Sequence, residues 1–74
     1  MPSQNITYEK GLPAAVEVEK LVLGSVLIND ATFIQAGGLL RPEDFSIEKH
    51  QRIFTAMREL YERGERIDRI TLAN

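Results

Sequence analysis

The chain has 74 residues, 43% of them apolar, no cysteine, and 9 basic against 11 acidic side chains for a net charge of −2. That length holds one small domain whose apolar burial barely exceeds the cost of chain entropy, leaving about 3–5 kcal/mol of stability unless a neighbour adds more burial. The composition excludes a disulfide scaffold and a cysteine-built zinc site, and the near balance of charge excludes the broad positive field that condenses on a phosphate backbone.

Residues 1–11 are polar, end on Gly11 and show neither helical nor strand period, which predicts a flexible leader ahead of one domain over 12–74. The leader has no hydrophobic secretory core and a single lysine, and the longest apolar run, Leu21 to Ile28, falls far short of the roughly 20 residues of a membrane span. A cytoplasmic protein without membrane contact is the expectation.

Pro13 suits the first turn of a helix, where its missing N–H costs nothing, and the first helix is expected over Pro13 to Ile28. Val18, Leu21, Val22, Ser25 and Val26 share one stripe, while Leu23, Leu27 and Ile28 cover other directions, so the second half is expected to be buried on several sides. Glu17 and Glu19 read as compensation of the helix dipole, with recognition of a basic partner as the competing reading. They lie about 200° apart around the helix, which rules out one catalytic pair. Gly24 reads as a packing notch where another backbone comes close.

Asn29 or Asp30 can cap a short second helix over Ala31 to Ala36, with Phe33 and Ile34 inward and Gly37-Gly38 supplying a left-handed exit. Arg41 precedes a proline and is biased away from helical geometry, so Pro42-Glu43-Asp44 is expected to form a tight turn that swings Phe45 inward. Ser46 can cap the third helix, in which His50, Ile53, Phe54, Met57, Leu60 and Tyr61 recur at steps of three and four. On its outer face Glu48 and Arg52, and Glu59 and Arg63, have the spacing of ion pairs, and Gly64 ends the helix. Asp68 can cap a last helix beginning at Arg69. No alternating run is long enough for a strand, so the fold class is all-α, a small orthogonal helical bundle.

No glycine sits in the Gly-rich loop followed by Lys-Ser/Thr that cradles nucleotide phosphates, and a lone histidine without cysteine cannot build a zinc site. This chain is therefore expected to be no enzyme and to hold no cofactor or metal. His50 with Glu43 and Asp44 has the composition of an acid/base cluster; the alternative is a partly buried histidine bonded to a carbonyl or carboxylate near the Pro42 turn. Tyr8, Phe33, Phe45, Phe54 and Tyr61 fall mostly on core positions rather than on a base-stacking platform, with the Tyr61 hydroxyl at the rim. A small helix-turn-helix DNA binder fits the length, but the third helix spends its period on core contacts, so no direct DNA contact is expected.

The order Glu17-x-Glu19, Val22-Leu23-Gly24-Ser25, Leu40-x-Pro42-Glu43-Asp44-Phe45, His50, Leu60-Tyr61-x-x-Gly64 and Ile67-Asp68-x-x-Thr71-Leu72 resembles the N-terminal domain of DnaB-type replicative DNA helicases. The resemblance implies the head of that domain, with a following helical hairpin, a linker and a motor that uses ATP and Mg lying outside this chain. It further implies a collar of a hexamer formed with other helicase subunits, and docking of the helicase-binding domain of primase in the primosome. His50 belongs to the family pattern, and Gly24, Pro42, Asp44, Phe45, Phe54 and Asp68 are read with it as structural positions. Arg52, Thr55, Arg58, Glu59 and Glu62, on the polar face of the third helix, are the expected partner contact.

Overall fold

The computed structural model describes residues 10–73, all of whose regular structure is helical. Helix α1 runs Pro13–Ile28, α2 Thr32–Leu39, α3 Glu48–Glu62 and α4 Arg69–Ala73, with one 3₁₀ turn at Pro42–Asp44 between α2 and α3. The all-α class expected from the sequence is what forms. Helix α3 is the hub, packing against α1, α2, the 3₁₀ turn and α4. Most of the leader, Tyr8 included, lies outside the described residues. Its last two, Lys10 and Gly11, are tied to the segment before α3, through the Lys10 ammonium on the Glu43 carbonyl and the Gly11 N–H on Ser46 Oγ at 2.8 Å.

The core gathers Leu23 and Val26 of α1, Phe33 of α2, Phe45 of the turn, Phe54, Met57 and Leu60 of α3, and Ile67. Phe54 is its centre, with ring centroids 5.2 Å from Phe33 and 4.9 Å from Phe45 in tilted contacts, each worth about 0.5–1.5 kcal/mol beyond area burial. The 3₁₀ turn delivers Phe45 as expected. Asp44 locks that turn by accepting the Arg41 N–H at 2.9 Å while its own N–H returns to the Arg41 carbonyl.

Helix ends follow local chemistry where a side chain or glycine dictates it. Gly64 takes φ of +73°, and the N–H groups of Gly64 and Glu65 close on the Tyr61 and Leu60 carbonyls, a Schellman ending for α3. Asp68 Oδ1 accepts the N–H groups of Ile70 and Thr71, both at 2.9 Å, and Thr71 Oγ1 accepts the Asp68 N–H, which caps α4 from both sides. These bonds, the Thr71 N–H first, hold the Asp68 carboxyl below its ordinary range.

Several expectations do not hold. Helix α2 runs on through Gly37 and Gly38, neither of which has positive φ, because the chain stays helical until Leu40 turns extended ahead of Arg41-Pro42. Ile34 is 61% exposed, since the Phe33 ring alone occupies the contact with α3 and Tyr61. A Cβ at Gly24 would meet nothing within 4 Å, so Gly24 is no notch; one at Gly37 would stand 2.6 Å from the Phe33 ring. Ile47, not Ser46, precedes α3 as its cap, and the Ser46 hydroxyl serves Gly11 instead. Arg63 pairs with Glu65 at 3.1 Å rather than with Glu59, because the Schellman turn carries Glu65 back beside it.

Candidate interaction surface

Among the described residues the most deeply buried polar side chain is Glu19, on the buried face of α1 with Ala15, Leu23 and Val26 and only 2% exposed. Its Oε2 accepts the Ser46 N–H at 2.8 Å, and its Oε1 lies 2.8 Å from His50 Nδ1, whose N–H points at an acceptor-only carboxylate. The two helices and the loop between the 3₁₀ turn and α3 are thereby joined at one point. Neither reading of Glu19 as a dipole or recognition residue survives, since it sits past the first helical turn and is out of reach of solvent. His50 is a structural histidine whose partner comes from α1, not from Glu43 or Asp44 at the Pro42 turn. Glu17 remains outside, paired with Lys20 at 3.3 Å.

Fixing Glu19 inward sets the rotation of α1. The stripe expected to face the core is divided: Val26 is buried and Val22 packs at the edge, while Val18, Leu21 and Ser25 face outward. Leu21 is 70% exposed and Ile28 88%. A helix apolar nearly all round has no preferred side of its own, so the one carboxylate that must find partners chooses the side. Helix α2 adds Leu39, 82% exposed, across a shallow groove floored by Val22, Ala36 and Leu40. The groove continues into a cavity of about 140 Å³ lined by Val18, Val22, Leu40 and Phe45 beside the Glu19 and Asp44 side chains.

The polar face of α3 is arranged differently from the sequence expectation at one position. Arg52, Thr55, Glu59 and Glu62 are exposed, with Arg52 3.4 Å from Glu48 and Thr55 Oγ1 bonded back to the Gln51 carbonyl. Arg58 is half-buried: its guanidinium donates to the Leu40 carbonyl at 3.0 Å and the Gly37 carbonyl at 3.4 Å, and lies 5.5 and 5.8 Å from the Phe54 and Phe33 ring centres. A cation there satisfies carbonyls left open at the C-terminal end of α2. Arg58 thus sits among core groups and is not freely available on the surface. Spacing alone had placed it one step from Thr55 and Glu62; the carbonyls it reaches belong to another helix.

Among the described residues no group of three or more His, Asp or Glu could hold a metal ion, and no helix is long and apolar enough to cross a membrane. The one buried acid/base pair among the described residues, Glu19 and His50, joins structural elements. What the molecule offers outward is an apolar groove on one side and a charged helix face on another.

The chain has relatives among known proteins. The chain is 42% identical over 60 residues to the replicative DNA helicase DnaB of Geobacillus stearothermophilus and likewise to that of Rhodothermus marinus, covering 81% of this chain but 13% and 6% of those proteins. It is 36% identical over 62 residues to the replicative DNA helicase DnaC of Bacillus subtilis, covering 84% of this chain and 14% of that protein. No solved structure matches it comparably. The chain therefore spans a small fraction of the length of these relatives, and residues 11–74 match the model of the DnaB-like helicase N terminal domain. This chain belongs to the DnaB-like helicase N-terminal domain family.

Proposed function

We propose that this domain is the interaction and oligomerisation module of a replicative DNA helicase, contributing to the collar of a hexamer and docking the helicase-binding domain of primase in the primosome. The observation that carries the reading is the family match over residues 11–74, on a molecule whose buried Glu19–His50 pair is spent on its own fold. Its outward features, an apolar groove between α1 and α2 and the charged face of α3 with Arg52, Thr55, Glu59 and Glu62, are of the kind that meet other proteins. In this reading ATP and Mg bind, and DNA is unwound, by other parts of the parent helicase in the cytoplasm. This domain touches neither nucleotide nor DNA directly.

The test is an amide NMR titration of the chain with the helicase-binding domain of the cognate primase. Saturable shifts clustered on one face support the module. A dispersed, folded spectrum that does not move at primase concentrations of about 1 mM, where even weak complexes form, would overturn primase docking by this domain.

A further inference from the structure

We propose that the hollow where α2 meets the 3₁₀ turn binds a short acidic peptide segment of a partner protein, a site that does not depend on which partner the α3 face meets. The hollow, of about 360 Å³, is lined by Leu39, Leu40, Arg41, Pro42, Glu43 and Arg58. Three cations meet there. Arg58 spends Nη2 on the Leu40 and Gly37 carbonyls, while among the described residues its Nε and Nη1 have no acceptor and are not buried, so they open on the hollow. Arg41, exposed, lines the same hollow, and the Lys10 ammonium sits at its rim on the Glu43 carbonyl. Among the described residues none of these three has a carboxylate within ion-pair distance, whereas Lys20, Arg52 and Arg63 are each paired.

The charges select the occupant. Glu43 is the one acidic residue in the wall, so three cations face one carboxylate on a chain whose net charge is −2. The positive field is therefore confined to the hollow, and the rest of the chain is more negative than the whole. A phosphate backbone long enough to run past the hollow meets that negative surface and is repelled, whereas a short acidic segment sets its carboxylates in the hollow and carries no charge beyond it. A carboxylate also matches the planar fork of a guanidinium, which Arg41 offers whole and Arg58 offers through Nε and Nη1. Leu39, 82% exposed, and Pro42 stand in the same wall and seat an apolar side chain next to each acid. The occupant is thus a segment in which acidic and large apolar residues alternate.

The experiment is an amide and arginine side-chain NMR titration of the 74-residue chain with the peptide acetyl-Leu-Glu-Leu-Glu-amide, up to about 10 mM at about 50 mM salt, where exposed charges are weakly screened. Saturable shifts are expected at Gly37 to Glu43 and at the Arg41 and Arg58 Nε–H groups, and none with acetyl-Leu-Gln-Leu-Gln-amide. Arg41→Ala is expected to weaken the peptide at least about 5-fold with an unchanged thermal melt, since the Arg41 side chain makes no bond to its own domain. Glu43→Gln removes the competing carboxylate, whose side chain likewise holds nothing, and is expected to tighten the peptide about 2- to 5-fold. A folded wild type whose hollow amides do not move, a glutamine peptide that binds equally, or an Arg41→Ala chain of unchanged affinity overturns the proposal. Decathymidylate that shifts the same amides at lower concentration than the peptide also overturns it, in favour of phosphate recognition.

Discussion

Removing Glu19 is the perturbation with the largest calculable effect. In Glu19→Ala the Ser46 N–H and the His50 ring each lose a 2.8 Å bond in a site only 2% exposed, and the carboxylate's volume is left empty. Orphaned buried donors cost about 1–3 kcal/mol apiece, so the loss is about 3–5 kcal/mol, similar to the whole stability expected of a domain this small. In urea, with a slope near 1 kcal/mol/M, this moves the midpoint by about 3 M or abolishes the folded state. Glu19→Gln is expected to lose only about 1–2 kcal/mol, because its oxygen can keep Ser46 and its amide can donate to His50 in the other tautomer. Far-ultraviolet circular dichroism against urea for Glu19→Ala, His50→Ala and the double variant yields the coupling, expected to exceed about 1 kcal/mol. A Glu19→Ala protein within about 0.5 kcal/mol of wild type, or a coupling near zero, would refute the assignment of the α1–α3 joint to this pair.

The two helical glycines should respond in opposite directions. Gly24→Ala meets open space and is expected to stabilise by about 0.5–1 kcal/mol through helix propensity, whereas Gly37→Ala drives a methyl into the buried Phe33 ring and is expected to cost about 1–3 kcal/mol; paired thermal melts decide it. Arg58→Lys should destabilise by about 1–2 kcal/mol in urea melts, since a point ammonium cannot keep both carbonyls and lie flat between Phe33 and Phe54. Charge reversal at Arg58 would for the same reason report on folding before binding, and Glu59 and Arg52 are the better probes of the α3 face. The Asp68 carboxyl titrates below its ordinary value when α4 is formed, so its stabilisation of α4 is complete above that ordinary pKa and is lost as pH falls through the lower folded value. Carbon chemical shifts of Ile70 and Thr71 followed from pH about 6 to about 2 should lose helical character only in the acid limb; a change centred near neutrality would contradict it.

Much of this molecule is local chemistry and was legible in its order of residues. Pro13 starting α1, Pro42 and Asp44 making the turn that presents Phe45, Gly64 ending α3 and Asp68 starting α4 each act through bonds to residues within a few positions, so a single sequence contains both partners. The α3 core face was equally readable, because Phe54, Met57 and Leu60 stand against Glu48, Arg52 and Glu59 and the contrast points inward unambiguously. The candidate interface was not. Helix α1 is apolar on almost every side, so its period does not say which side is covered, and the side chain that decides, Glu19, resembles a surface carboxylate until Ser46 and His50 arrive from 27 and 31 residues away. Arg58 likewise reads as surface charge until the Gly37 and Leu40 carbonyls are brought beneath it. Periodicity and caps determined where the helices lie along the chain; the satisfaction of one buried carboxylate and one half-buried guanidinium, which only tertiary packing supplies, decided which way they face and so which apolar residues are left for a partner.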